Sequence, residues 1–205
     1  MKTKKFDRDR AKFCAWVNHS HRREAELASQ IKDAWLFVRY YQDSALRRDG
    51  NSVMSHLEAV AKRVHFWRFD FKFVIAALLH DILEDCSEVT LEDIKKRFGC
   101  SVADMVDFMS KNILGNSPNY DHKVSVYLKD HPHFIFLRLA DNLHNIINYQ
   151  SSRSPESLQR NCQKIIELLD IADKFIKTKP KLQKNCYLSQ DLKTLREMAL
   201  DHLTD

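Results

Sequence analysis

The chain has 205 residues, enough for one well-packed domain and too few for two comfortable ones. Hydrophobic residues make up 44% while Gly occurs three times and Pro four, which excludes a β-rich chain full of tight turns and points to an all-α fold. The formal charge is +5, part of it in Lys2, Lys4, Lys5, Arg8, Arg10 and Lys12. That segment lacks the interleaved aromatics and Gly of an RNA-binding tail, so it reads as a solvated basic arm and argues against a nucleic-acid partner. Five scattered Cys without a CxxC pair read as reduced thiols. There is no apolar h-region at the N-terminus and no run of transmembrane length, so the expectation is a cytoplasmic protein without a membrane partner.

In chain order, residues 6–30 have helical spacing, with Phe13, Trp16, Val17 and Leu27 on the apolar side. A second helix is predicted over 31–46, ended by the turn Arg47-Arg48-Asp49-Gly50-Asn51. A third runs from about 52 to 64 and carries His56, and a fourth spans about 70–84. Thr90 with Asp93, and Ser101 with Asp104, are spaced as capping-box starts of two short helices, with Phe98-Gly99 stopping the first and the second ending near Asn112. Residues 115–119 read as a loop and about 121–129 as a helix. The apolar run Phe134 to Ala140 alone is compatible with a buried strand, but its continuation to Ile146 at helical spacing favours a buried helix. Ser154-Pro155-Glu156 is an N-cap and N1 signal for a helix through about Lys177, Lys179-Pro180-Lys181 breaks it, and a last helix covers about 189–203. His19, His21, His65, His122, His131, His133 and His202 read as solvent-facing.

The chemistry concentrates in Ala76-Ala77-Leu78-Leu79-His80-Asp81-Ile82-Leu83-Glu84-Asp85. On one helix the adjacent His80 and Asp81 point about 100° apart and can grip one ion from two sides, and Glu84 and Asp85 repeat those faces one turn on. A helix otherwise made of Ala, Leu and Ile has no packing reason to carry four such groups. His56 and Asp141 on other helices complete a mixed N/O set suited to Mn²⁺, Fe²⁺ or Zn²⁺ rather than to an all-oxygen Mg²⁺ cage. Such a set leaves positions for water and substrate, with Glu84 or Asp85 within reach of a proton from that water. Arg47, Arg48, Lys111 and Arg138 are cations available to an anionic substrate. His144 reads as a packing or supporting residue rather than a ligand.

The order His56, His80-Asp81, Asp141 resembles the HD superfamily of metal-dependent phosphohydrolases. With Glu84-Asp85, Phe98-Gly99 and Arg-Leu-Ala-Asp-Asn-Leu-His-Asn at 138–145, residues 31–150 are similar to the hydrolase domain of RelA/SpoT-type alarmone enzymes, in their stand-alone small form. The resemblance implies an HD-domain helical bundle over 31–150, and the helical pattern of the flanking residues adds an N-terminal extension over 1–30 and two C-terminal helices over 151–205 packed on the same domain. It implies removal of the 3′-pyrophosphate from (p)ppGpp with Mn²⁺ as cofactor (other divalent transition metals also fitting), bound by His56, His80, Asp81 and Asp141. Glu84-Asp85 match the pair that positions or deprotonates the attacking water. Arg47, Arg48, Lys111, Arg138 and Asn145 match substrate-side positions, and Asn148 falls in the adjoining segment assigned to the nucleotide. The chain departs from the family where Gly50 is followed by Asn51-Ser52-Val53 rather than Glu-Pro-Tyr, where Leu57 replaces a Pro after His56, and where Ile146-Ile147-Asn148 replaces Met-Arg-Thr. Two alternatives therefore stand beside the guanosine alarmone: another nucleotide (an adenine alarmone, NADPH or a (deoxy)nucleotide), or a non-catalytic nucleotide-binding module. The sequence does not fix an oligomeric state.

Overall fold

The computed structural model describes residues 2–21, 24–43, 45–47, 50–111, 118–148 and 154–204. In chain order the helices are α1 (Lys2–Ser20), α2 (Ala25–Gln42), α3 (Val53–Phe66), α4 (Phe71–Leu79), the single turn α5 (Ile82–Asp85), α6 (Leu91–Phe98), α7 (Cys100–Met109), α8 (Pro118–Asp130), α9 (Ile135–Ile147), α10 (Pro155–Ile176), the short α11 (Pro180–Gln183) and α12 (Cys186–Thr204). Among the described residues the only extended pairing is one isolated bridge between Leu46 and Ser52, so the expected all-α fold is what forms.

The helix α4 organises the core. Every residue from Phe73 to Leu79 is buried, the pattern of a helix surrounded on all sides. Asp70 starts it by accepting from the backbone N–H of Lys72 and Phe73 at 2.9 and 3.2 Å. Around it pack α2, α3 and α7, and α3 in turn contacts α9. The buried face of α3 (Val53, Met54, Leu57, Val60, Ala61 and Val64) follows the three- and four-residue spacing that lets one helix serve both neighbours. The apolar run from Phe134, whose continuation at helical spacing favours a buried helix, is helix α9 from Ile135 on, and it carries Asp141 and His144 about one turn apart.

Four local readings change. The first helix ends at Ser20 and the second begins at Ala25, so the boundary lies before residue 30. The helix predicted over 70–84 stops at Leu79; His80 and Asp81 form a turn and α5 follows, so the motif occupies a break between two helices. The Thr90 capping box forms with Asp93, but Ser101 lies inside α7, whose N-cap is Gly99 at φ 89°. That conformation is open to Gly at no steric cost, and the one residue ends α6 and begins α7. Finally, His21, His65 and His133 are not simply solvent-facing. His21 and His65 have ring centroids 5.0 Å apart, Trp16 meets His65 edge-on at 5.5 Å, and His133 lies against Phe73 and Phe134. The Phe98-Gly99 stop, the Ser154 cap and the helix through the 160s stand as expected. Residues 115–117 of the expected loop lie outside the described residues.

Two ends of the chain are tied to this core. Phe13 of α1 is buried and stacks on Trp35 of α2 at 5.4 Å. On the other side, Trp67, fully buried after α3, donates its indole N–H to Asp191 Oδ2 of α12 at 2.8 Å, and Asn185 donates to the Phe66 carbonyl. No helix among the described residues is long and apolar enough to cross a membrane. Because Trp67 has its polar edge in the interior, Asp191→Ala leaves a buried donor without its acceptor. A loss of about 1–3 kcal/mol is expected in denaturant unfolding. An unchanged midpoint would show that α12 does not depend on that bond.

Candidate metal centre

Three parts of the core deliver side chains to one point. His56 comes from the second turn of α3, His80 and Asp81 from the break after α4, and Asp141 from the middle of α9. His56 Nε2 lies 3.3 Å from His80 Nε2 and 3.1 Å from Asp141 Oδ1, and 3.7 Å from Asp81 Oδ2. His80 Nε2 lies 3.2 Å from Asp81 Oδ1 and 3.7 Å from Asp141 Oδ1. Across the break His80 and Asp81 keep right-handed helical backbone angles, and their side chains meet at one point. The imidazoles are buried, at 1% and 2% exposure, whereas the Asp81 and Asp141 side chains keep 29% and 22% of their surface open. The centre is therefore closed on its nitrogen side and reached from its oxygen side.

The imidazole orientations are set by other partners. His80 Nδ1 lies 2.8 Å from the Ala77 carbonyl and donates to it, which leaves Nε2 with its lone pair toward the centre. His56 Nδ1 lies 2.9 Å from His144 Nδ1. Burial, followed by the nearby His56 and Arg47, lowers the His144 imidazole to about 4. A neutral His144 accepts there, and His56 Nδ1 then carries the hydrogen and turns Nε2 toward the cluster. Asn148 donates its side-chain amide to the His144 carbonyl at 2.7 Å.

The electrostatics call for a cation. Burial alone lowers the His80 imidazole, but the Asp81 charge and hydrogen bonds to Asp141 and Asp81 overcome it and hold the group well above its ordinary value. Burial would raise Asp141, yet hydrogen bonds from His56 and His80 hold it well below the usual carboxylate range. The same contest, with the His80 charge winning over burial, lowers Asp81. His56, with burial dominant, is lowered. Two carboxylates thus favour a positive charge among these four groups. Donors about 2.1 Å from a common ion lie about 3.0–3.5 Å apart, close to the spacings here, and the mixed imidazole–carboxylate set suits a divalent transition metal. His56, His80 and Asp141 form a group that could hold a metal ion, their ligand atoms all within 4.8 Å of one another.

The acidic pair flanks this centre. Asp85 accepts from Gln42 Nε2 of α2 at 2.7 Å, and burial with the adjacent Asp81 charge raises its carboxyl. Glu84 accepts from the Lys111 backbone N–H at 2.6 Å. Arg47 donates to Asn145 Oδ1, and Asn145 donates in turn to Asp141 Oδ1 at 2.8 Å. Arg138 behaves differently: its guanidinium lies over the Phe108 ring, 4.7 Å from the centroid, and donates to the Phe108 carbonyl. The Lys111 side chain is exposed beside Glu84, and Arg48 lies outside the described residues. The structure thus brings together His56, His80, Asp81, Asp141, Glu84, Asp85, Arg47, Asn145 and the Lys111 backbone. Sequence reasoning missed Gln42. It sits on the buried face of an amphipathic helix 43 residues from its partner, and no local signal marks it.

Residues 34–118 match the family described as HD domain. The chain is 28% identical over 147 residues to the bifunctional (p)ppGpp synthase/hydrolase SpoT of Escherichia coli, covering 68% of this chain and 20% of that protein. It is 30% identical over 146 residues to a guanosine-3′,5′-bis(diphosphate) 3′-pyrophosphohydrolase of Vibrio cholerae, covering 67% of this chain and 20% of that one. An Aquifex aeolicus protein of the same description is 33% identical over 125 residues, covering 58% of this chain and 18% of its own length. The chain therefore spans about a fifth of the length of these curated relatives. A solved structure described as a metazoan ortholog of SpoT that hydrolyses ppGpp superposes with a TM-score of 0.60 at 19% identity, covering 82% of this chain and 94% of that one, which places the two in one fold.

If the cluster holds an ion, adding Mn²⁺ at about 100 times its dissociation constant stabilises the chain by about 2.7 kcal/mol. A rise in Tm on Mn²⁺ addition that disappears in His80→Ala is the expected result of a thermal-shift titration. An equal rise in the variant would place the ion elsewhere.

Proposed function

We propose that this HD-domain protein is a metal-dependent pyrophosphohydrolase that removes the 3′-pyrophosphate from guanosine alarmones, giving GDP or GTP and pyrophosphate. The observation that carries the reading is the meeting of His56, His80, Asp81 and Asp141 with Glu84 and Asp85 beside them. The names of the relatives favour (p)ppGpp among the nucleotides such a centre accepts. Mn²⁺ is the proposed ion, held by the two imidazole nitrogens and two carboxylates. When bound, it supplies Lewis-acid polarisation at the phosphoryl group and lowers the pKa of a neighbouring water.

The chain's own residues do the rest. Glu84 and Asp85 follow the ligand Asp81 on α5 and take the water proton at a carboxylate oxygen. Burial and the Asp81 charge raise the Asp85 carboxyl, which makes it the better proton holder than an ordinary surface aspartate. Gln42 and the Lys111 N–H fix the two carboxylates, so no reorganisation is needed at the moment of transfer. Arg47, steered by Asn145, and the exposed Lys111 ammonium offer positive charge to the phosphate oxygens and the leaving pyrophosphate. Asn145 binds both Asp141 and Arg47, and so ties the substrate side to the ligand side. Arg48 and Asn148 complete the proposed substrate set, Asn148 through its bond to the His144 carbonyl, while the Arg138 guanidinium is engaged on Phe108 and supports the site from there. The substrate partner is a small nucleotide, in keeping with a cytoplasmic enzyme.

Purified protein with Mn²⁺ is expected to release pyrophosphate from ppGpp, and to stop when the metal is chelated. No release from ppGpp, with release from an adenine alarmone or a dephosphorylation of NADPH or a deoxynucleotide, would keep the centre and replace the substrate. Glu84→Gln is expected to lower kcat by about 100-fold or more, from the lower end of the range for a proton-transfer group upward, while Mn²⁺ affinity stays within about twofold. A Glu84→Gln enzyme with full kcat would remove Glu84 from the chemistry.

A further inference from the structure

The C-terminal end of α7 holds a buried polar cluster that the proposed chemistry does not use. Asp107, 8% exposed, accepts from Lys123 Nζ at 2.7 Å and from Tyr127 Oη at 2.8 Å, both on α8. The two charged side chains are nearly closed off, at 13% and 11% exposure. Lys123 Nζ lies 3.4 Å from the Ser110 carbonyl oxygen as well. A desolvated ion pair of this kind contributes little to stability compared with apolar packing of the same volume. Its geometry suggests another use.

Ser110 ends α7 with an extended backbone, at φ −72° and ψ 138°, while its own N–H still closes the helix on Val106 and Asp107. The extended step takes the next amide, that of Lys111, out of the helical ladder and directs it to Glu84 Oε1 at 2.6 Å. The Ser110 carbonyl and the Lys111 N–H are opposite ends of one planar trans peptide, so fixing one end fixes the other. At the oxygen end stands the Lys123 ammonium, and at the hydrogen end stands the Glu84 carboxylate. An ammonium on the carbonyl also polarises the peptide and strengthens donation from its N–H. Arg138 supports the same turn from α9 by donating to the Phe108 carbonyl.

We propose that Lys123, held by Asp107 and Tyr127, is a positioning residue that orients the Glu84 carboxylate through the Ser110–Lys111 peptide. This rests on the reading of Glu84 as a proton acceptor. Lys123 touches neither the ligands of the centre nor substrate, and it acts only through that peptide. The pairing links α8, which contributes none of the groups at the centre, to the acidic residue proposed to act on water.

The test uses the full chain, isotopically labelled, and follows the Lys111 amide proton by NMR alongside kinetics with Mn²⁺ and ppGpp. In the wild-type protein the short bond to a carboxylate places that proton far downfield, and Glu84→Ala supplies its position without the bond. Lys123→Met is expected to move the signal toward the Glu84→Ala position. It is also expected to lower kcat about tenfold, with KM and Mn²⁺ affinity within about twofold, and to add nothing in a Glu84→Gln background. Tyr127→Phe should do the same to a smaller degree, and is decisive in the same way should Lys123→Met fail to fold. A folded variant whose Lys111 amide does not move, or whose kcat is unchanged, overturns the proposal and leaves the pair a structural contact. The amide signal requires no substrate, so a chain that hydrolyses no ppGpp fails the functional reading without deciding this one.

Discussion

The structure turns on one unfavourable arrangement: two imidazoles and two carboxylates gathered beside a core built mainly of apolar side chains. His56 and His80 are as deeply buried as the leucines around them, with Asp141 3.1 Å from His56, Asp81 3.2 Å from His80 and the two crossed pairs at 3.7 Å. Ionised carboxylates at such a place demand a compensating positive charge. A proton on His80 supplies it in part, and a divalent ion does so more completely. Much of the surrounding structure serves to keep the four groups in that relation.

The support is arranged in layers. The apolar helix α4 fixes the depth of His80, and the Ala77 carbonyl fixes its tautomer. His144 does the same for His56 from the next turn of α9, so Asp141 and the residue orienting His56 share one helix face. Asn145 joins that face to Arg47, and Gln42 and Lys111 hold the acidic pair from α2 and from the end of α7. Each contact is a modest hydrogen bond. Together they set the direction of every charged group before any substrate arrives, which is the condition for electrostatic stabilisation of a phosphoryl transition state.

The helix break at His80-Asp81 shows how a sequence pattern and a structure differ in detail. Read as one continuous helix, the decapeptide separates His80 from Asp81 and stacks Glu84 and Asp85 above them. In the fold the helix is interrupted after Leu79, Asp81 Oδ1 lies 3.2 Å from His80 Nε2, and Glu84 and Asp85 begin a new turn whose N–H groups bond to the Asp81 carbonyl. The composition of the site is the same in both, and in both the adjacent pair shares one centre. Arg138 gives the converse case. The family resemblance marks it as a substrate group, while its guanidinium is engaged on the ring and carbonyl of Phe108.

By itself the sequence determined the all-α class, most helix positions, the Thr90 and Ser154 caps, and the identity of the groups gathered at the centre. These are local matters: periodicity, caps, and polar residues with no packing reason to occur in an apolar helix. Only the tertiary structure decided which atoms meet. The bonds of Gln42 to Asp85, Arg47 to Asn145, His56 to His144 and Lys111 to Glu84 join residues 27 to 98 positions apart. No local spacing encodes such pairs, because they follow from how α2, α3 and α7 pack around α4 and how α9 packs on α3. The sequence therefore specifies the chemistry available to this protein, and the packing of its core specifies the direction in which that chemistry points.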